Sequence, residues 1–198
     1  MTLDLILALV GFAFASSITP GPNNMMLLAS GANFGLRRSI PHMLGISIGH
    51  SFMVIVLGAG LAQVFERWPR LLDAMTVVAV VYLLWLAWKI ATAAPKRPEA
   101  REAGRPFTFL QAAGFQWVNP KAWFMALTAI TVYTATGSFP EVLLVALVFS
   151  CTNLPSITVW TVLGQELRRF LDTPERLRAF NWTMAALLVA SLIPVVFH

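Results

Sequence analysis

Acidic side chains are scarce in this sequence: 198 residues hold nine Asp and Glu, and charged residues of both signs reach only 12%. A typical soluble domain carries about 25%. No acid falls in the middle of a long apolar stretch, because Asp4, Asp73 and Glu141 all sit near stretch ends. This disfavours a permanently cationic cargo or a divalent metal, both of which want carboxylates at depth. Cysteine is nearly absent. The lone Cys151, inside an apolar run, excludes a disulfide framework and any CxxC redox or zinc motif. HExxH and metal-ligand clusters are missing, so no catalytic residue, metal or cofactor is expected. A secretory leader is not evident either: Met1-Thr2-Leu3-Asp4 carries no positive charge, and the apolar stretch behind it is too long for cleavage.

Hydrophobic residues supply 58% of the chain, and the mean hydropathy is +0.72. A globule of this size has too much surface to hide so much apolar side chain. The bilayer is the natural solvent. The net charge of +5 does not point to nucleic acid, since the basic residues lie in short runs between apolar stretches.

A bilayer-crossing helix needs about 20 mostly apolar residues. Six stretches qualify as spans: Leu3–Phe34, Pro41–Gln63, Leu71–Trp88, Phe107–Gly137, Val142–Gly164 and the short Trp182–Phe197. The expected fold is all-α, a polytopic membrane protein. Arg37 and Arg38, the run Lys89 to Arg105, and Arg168, Arg169, Arg176 and Arg178 place eleven of the fourteen basic residues on one side. Cytoplasmic loops hold the excess Lys and Arg, so both termini are expected outside. The Pro- and charge-rich segment 94–106 reads as a cytoplasmic linker between residues 1–93 and 107–198.

Those two halves look related. Thr19-Pro20 and Asn119-Pro120 lie 100 positions apart, each inside an overlong first span. Three spans per half force the second half to enter from the opposite side, giving a 3+3 inverted repeat with a broken first helix in each half.

Proline lacks an N–H and collides with the carbonyl four residues back. Pro20 therefore frees the carbonyl of Ser16, Pro22 that of Ile18, and Pro120 that of Gln116. Unpaired backbone at membrane depth is tolerated only against protein or a wet cavity. Two matched breaks predict one polar cavity, built from Ser16, Thr19, Pro20, Gly21, Pro22, Asn23, Asn24, Gln116, Asn119, Pro120 and Lys121, with Asn153 from span 5. The half-helix starting near Asn23 offers N–H groups and a positive dipole end to a carboxylate, and the freed carbonyls of Ser16 and Ile18 suit an ammonium. A zwitterion fits such a site. Lys121 has two readings: a functional cation, or a lysine that ties the break together by binding freed carbonyls. His50 suits proton handling, or is a neutral histidine bonded to a neighbouring helix. Gly45-x-x-x-Gly49 is a close-packing face that permits a seam with another helix and so a possible homodimer. The tryptophans read mostly as interface anchors or packing, with Trp117 and Trp123 beside the second break as exceptions.

Thr19-Pro20-Gly21-Pro22-Asn23-Asn24, Gly31-x-x-x-Gly35-x-Arg37, Gly45-x-x-x-Gly49 and Gln116-x-x-Asn119-Pro120-Lys121-Ala122-Trp123, in that order, resemble the lysine-exporter and homoserine/threonine-exporter (LysE/RhtB) translocator family over essentially the whole chain. Ser39 and Ala87 depart from the family pattern, where glycine is usual, which puts packing there in doubt. The resemblance implies a bacterial inner-membrane exporter of amino acids or their derivatives, driven by the proton gradient. From the residues alone, a channel or metal-ion exporter on the same scaffold, or a membrane redox protein, remains an alternative.

Overall fold

A computed structural model describes residues 1–61, 67, 69–92, 105–171 and 173–193. Its helices are α1 (Leu3–Ile18), α2 (Pro22–Val56), α3 (Pro69–Ala91), α4 (Phe109–Phe115), α5 (Pro120–Tyr133), α6 (Phe139–Leu167) and α7 (Pro174–Ala190). A π-helical turn, Leu57–Leu61, extends α2, and 3-10 turns at Gln116–Val118 and Arg168–Phe170 follow α4 and α6. No strand occurs among the described residues.

Helix starts follow local chemistry. α2, α5, α6 and α7 each carry proline in the first turn, where the missing N–H would have had no helical partner anyway. Thr108 caps α4 in a reciprocal box with Gln111, and Thr173 caps α7 by accepting from the Arg176 N–H at 3.3 Å.

Both expected helix breaks are present, at residues 19–21 and 116–119. Two sequence-based boundaries need correction. Arg37 and Arg38 are not in a loop: Gly35 (φ 77°, ψ 170°) turns the chain alone, and α2 resumes at once. Buried Ser39 closes this bend, its hydroxyl donating to the Gly35 carbonyl at 2.9 Å and pairing with the Ser30 hydroxyl at 2.8 Å. The final helix starts at Pro174 and not near Trp182, so Arg176 and Arg178 are helical. The Thr-Pro start signal prevails there over apolarity. Of the predicted linker, residues 94–104 lie outside the described residues, as do Gln63 and residues 194–198 at the predicted span ends.

The bundle is inside-out relative to a soluble protein. In α1, Leu3, Leu7, Val10 and Phe14 face outward, and in the second arm of α2 so do Ile40, Leu44, Ile48 and Phe52. The same arm buries Ser39, His42, Ser47, His50 and Ser51. Apolar ridges outside and polar side chains inside suit a lipid solvent. Segments Pro22–Gly60 and Phe139–Phe170 have the length and apolarity to cross a membrane.

Helix α2 packs most extensively along α6, α4 lies against α2, and α3 pairs with α7. Ser51 ties α2 to α6, donating to the Ala146 carbonyl at 3.0 Å and pairing with the Ser150 hydroxyl at 2.7 Å. The Gly45/Gly49 face is filled from within the chain. A Cβ on Gly45 would lie 2.4 Å from the Phe109 carbonyl oxygen, and one on Gly49 would lie 2.6 Å from Ala113 Cα. That face seats α4 and is not open for a homodimer seam.

Candidate substrate site at the paired helix breaks

The two breaks meet. At the first, α1 ends at Ile18, residues 19–21 run extended, and Pro22 opens α2. Gly21 is the N-cap and supplies no side-chain oxygen, so the leading N–H groups of α2 lack a side-chain cap. At the second, Asn119 caps α5 by accepting from the Lys121 N–H at 3.2 Å.

Lys121 bridges the breaks. Its Nζ donates to the Thr19 carbonyl at 2.6 Å and to the Pro20 carbonyl at 3.4 Å. A lysine from the second half thus neutralises the carbonyl-rich end of α1, where a helix dipole favours a cation. Asn24 joins it, donating its amide to the carbonyls of Ser17 and Thr19, each at 2.8 Å. Gly21 is small for a spatial reason: a Cβ there would come 2.8 Å from Lys121 Cδ.

A second link is reciprocal. Asn23 Nδ2 donates to Gln116 Oε1 at 2.9 Å, and Gln116 Nε2 donates back to Asn23 Oδ1 at 3.2 Å. Gln116 is fully buried and also donates to the Ala112 carbonyl at 2.9 Å. It stands behind Asn23 and does not line the cavity. Contacting pairs of this kind couple by about 0.5–3 kcal/mol. Unfolding in micelles of Asn23→Ala, Gln116→Ala and the double variant should therefore be non-additive; costs that sum would show the pair holds nothing.

Between the breaks lies a small cavity of about 20 Å³ lined mostly by polar residues, room for about one water molecule. Ser16, Ser17, Asn23, Asn24, Asn119, Lys121 and Asn153 line it, with His50 on one wall. His50 is 2% exposed, its ring lies tilted against that of Phe149 at 4.8 Å, and its polar neighbour is the Ala122 backbone. The sequence did not suggest Ser17, whose buried hydroxyl lacks a partner. Its only signal was its place beside Ser16. No carboxylate lines the cavity.

Other expectations resolve differently. The freed Ile18 carbonyl is not open to a ligand, because Trp160 Nε1 donates to it at 3.0 Å. Trp160, read as an anchor, is thus a cap 142 positions away in sequence. The Gln116 carbonyl accepts from the Asn119 N–H at 3.3 Å. Thr19 turns its hydroxyl back to Ala15 and gives the site only its carbonyl. Pro20 faces a separate, larger hollow of about 400 Å³ walled by Met25, Trp160 and Met184. Pro22 and Pro120 serve as helix starts. Trp117 and Trp123 pack edge-to-face at 6.1 Å, and the Trp123 indole donates to the Trp117 carbonyl at 2.9 Å, away from the cavity.

Lipid-facing apolar helices, broken opposite one another around a carboxylate-free polar pocket, define a helical membrane transport protein. The LysE type translocator family matches residues 14–192, and the chain belongs to that family. It is 30% identical over 198 residues to a cysteine/O-acetylserine efflux protein of Klebsiella pneumoniae, with 99% of each chain covered. The like-named proteins of Salmonella typhimurium and Escherichia coli K12 are 29% and 27% identical over 202 residues, covering each chain in full. No solved structure matches the chain.

Proposed function

We propose that this protein exports small zwitterionic amino acids, cysteine and O-acetylserine among them, across the bacterial cytoplasmic membrane as a proton-coupled secondary transporter. The observation that carries this reading is the Lys121 ammonium seated on the Thr19 and Pro20 carbonyls. Those oxygens form a ready-made ammonium site, and here the protein's own cation occupies it.

A substrate carboxylate draws Lys121 toward itself and toward the uncapped N–H groups of Asn23 and Asn24, where the helix dipole also favours an anion. Its ammonium takes over the vacated carbonyls and the amide oxygen of Asn153. The exchange leaves no buried charge unpaired, which matters because an orphaned charge at this depth costs several kcal/mol. His50, beside Ala122 on the same cavity wall, is the proton carrier.

A cavity of about 20 Å³ cannot hold an amino acid, so loading requires the halves to part. We assign the halves as residues 1–93 and 107–198, six spans in a 3+3 inverted repeat joined by the linker 94–106, with basic loops cytoplasmic and termini outside. The like-with-like pairing of α2 with α6 and of α3 with α7 supports that symmetry. Among the described residues no group of three or more His, Cys, Asp or Glu converges, so nothing favours the metal-export alternative.

Cells overproducing the protein should release cysteine and O-acetylserine faster than cells carrying the empty vector. Across a panel of all the common amino acids, unchanged efflux of every one sinks this reading.

A further inference from the structure

A hollow of about 280 Å³ lies near the bend of α2, lined by His42, Asn33, Phe34, Lys89, Arg105 and Phe107, among others. It is distinct from the small cavity at the breaks, and the first arm of α2 connects the two. Asn23 and Asn24 border one and Asn33 and Phe34 the other, about 15 Å apart along the helix at 1.5 Å per residue.

His42 is its unexplained residue. The side chain is 2% exposed, its ring lies 5.3 Å from that of Phe107, and neither nitrogen has a hydrogen-bond partner. A buried polar group left unpaired costs roughly 1–3 kcal/mol. A neutral imidazole always presents one N–H donor and one acceptor, so the hollow offers a donor with no acceptor among the described residues.

Among the described residues the charges lining it have one sign: Lys89 and Arg105 are there and no carboxylate is. Lys89 is held in place by its cation–π contact with Trp85, 4.4 Å from the ring centroid. Arg38 lies over the ring of Phe34, a wall residue, at 5.4 Å. The volume is close to the lower end of the range for small-molecule pockets, about 300 Å³.

We infer that this hollow is a second small-molecule site, one that takes a small organic carboxylate through Lys89, Arg105 and the His42 N–H and serves as the intake vestibule for cargo bound for the central cavity. Its role in intake rests on the export reading above; its binding chemistry does not. Recognition here needs a carboxylate and no ammonium, because among the described residues the hollow is lined by cations and by no acid. The central cavity needs both.

N-acetylserine, a carboxylate without an ammonium, and serine methyl ester, an ammonium without a carboxylate, separate the two sites. Equilibrium binding of radiolabelled N-acetylserine to the full protein in micelles should be saturable, and serine methyl ester should not compete. His42→Leu should weaken binding at least tenfold, with His42→Asn, which keeps a donor, recovering part of the loss. The paired change Lys89→Gln with Arg105→Gln should do the same, and it decides the matter if His42→Leu fails to fold. Lys121→Gln, at the other cavity, should leave this binding within twofold. Absent saturable binding, binding indifferent to the Lys89/Arg105 pair, or binding lost in Lys121→Gln would each overturn the proposal. N-acetylserine binding that survives while amino-acid efflux is missing would sink the export reading alone.

Discussion

Lys121→Met should reduce amino-acid efflux by roughly tenfold to a hundredfold while the protein still reaches the membrane. The side chain is half-buried and ends on two carbonyls across the break, at 2.6 and 3.4 Å. A hydrogen bond to a charged group contributes about 1.5–3 kcal/mol, and each 1.4 kcal/mol is a factor of ten. Methionine keeps the length and apolar stem of lysine but leaves the Thr19 and Pro20 oxygens without their cation. Thr19 retains the Asn24 amide at 2.8 Å, so the break itself should hold. The loss therefore falls on the ammonium exchange more than on folding. Arginine should not rescue. The stem already runs beside Gly21, so close that a Cβ on that residue would sit 2.8 Å from Lys121 Cδ, and the planar fork is bulkier than an ammonium. Initial efflux rates, normalised to folded protein eluting from size-exclusion chromatography, give the comparison. A methionine variant exporting within twofold of the parent removes Lys121 from the mechanism and leaves it only a brace.

Gly31→Ala and Gly164→Ala should each lower the melting temperature by roughly 2–12 °C, whereas Gly114→Ala should not. The first two glycines face one another's helices. A Cβ on Gly31 would fall 2.0 Å from the Thr161 carbonyl oxygen, and a Cβ on Gly164 would fall 2.0 Å from the Leu28 carbonyl oxygen. Neither obstacle is a flexible side-chain end. Both are backbone, so the helices must separate along the α2–α6 seam. Overpacking costs typically 1–3 kcal/mol, and each kcal/mol shifts the melting point by roughly 2–4 °C at this chain length. Gly114 is the control, since nothing lies within 4 Å of its Cβ position. Melting followed by size-exclusion chromatography settles it; an alanine variant at either seam position within about 2 °C of the parent means the close approach is not needed. The effect should reach the site, because the arm carrying Gly31 also carries Asn23 and Asn24.

The two helix breaks were legible because their cause is local. Proline removes a donor from its own backbone, and Pro20, Pro22 and Pro120 do so whatever surrounds them. The inside-out pattern was legible from composition for the same reason: apolar side chains in such excess need lipid. Family membership followed from motifs that span the chain. What the breaks contact was not legible. Trp160 reaches Ile18 across 142 positions, and Lys121 reaches Thr19 across 102. Lys121 donates to the Thr19 and Pro20 carbonyls inside the first break, and not to the Ser16 and Ile18 carbonyls that the prolines free.

Residue types and their order alone determined a lipid-soluble helical chain, interrupted twice, with polar groups at each interruption. Tertiary structure alone decided which oxygens stay available: a remote indole covers Ile18, and a lysine covers Thr19 and Pro20. Helix formation and its failure are governed by the few residues within a turn of a position, so sequence suffices there. Pairing across the bundle depends on how close the helices come, and that distance is set at Gly31 and Gly164 by partners no local pattern names.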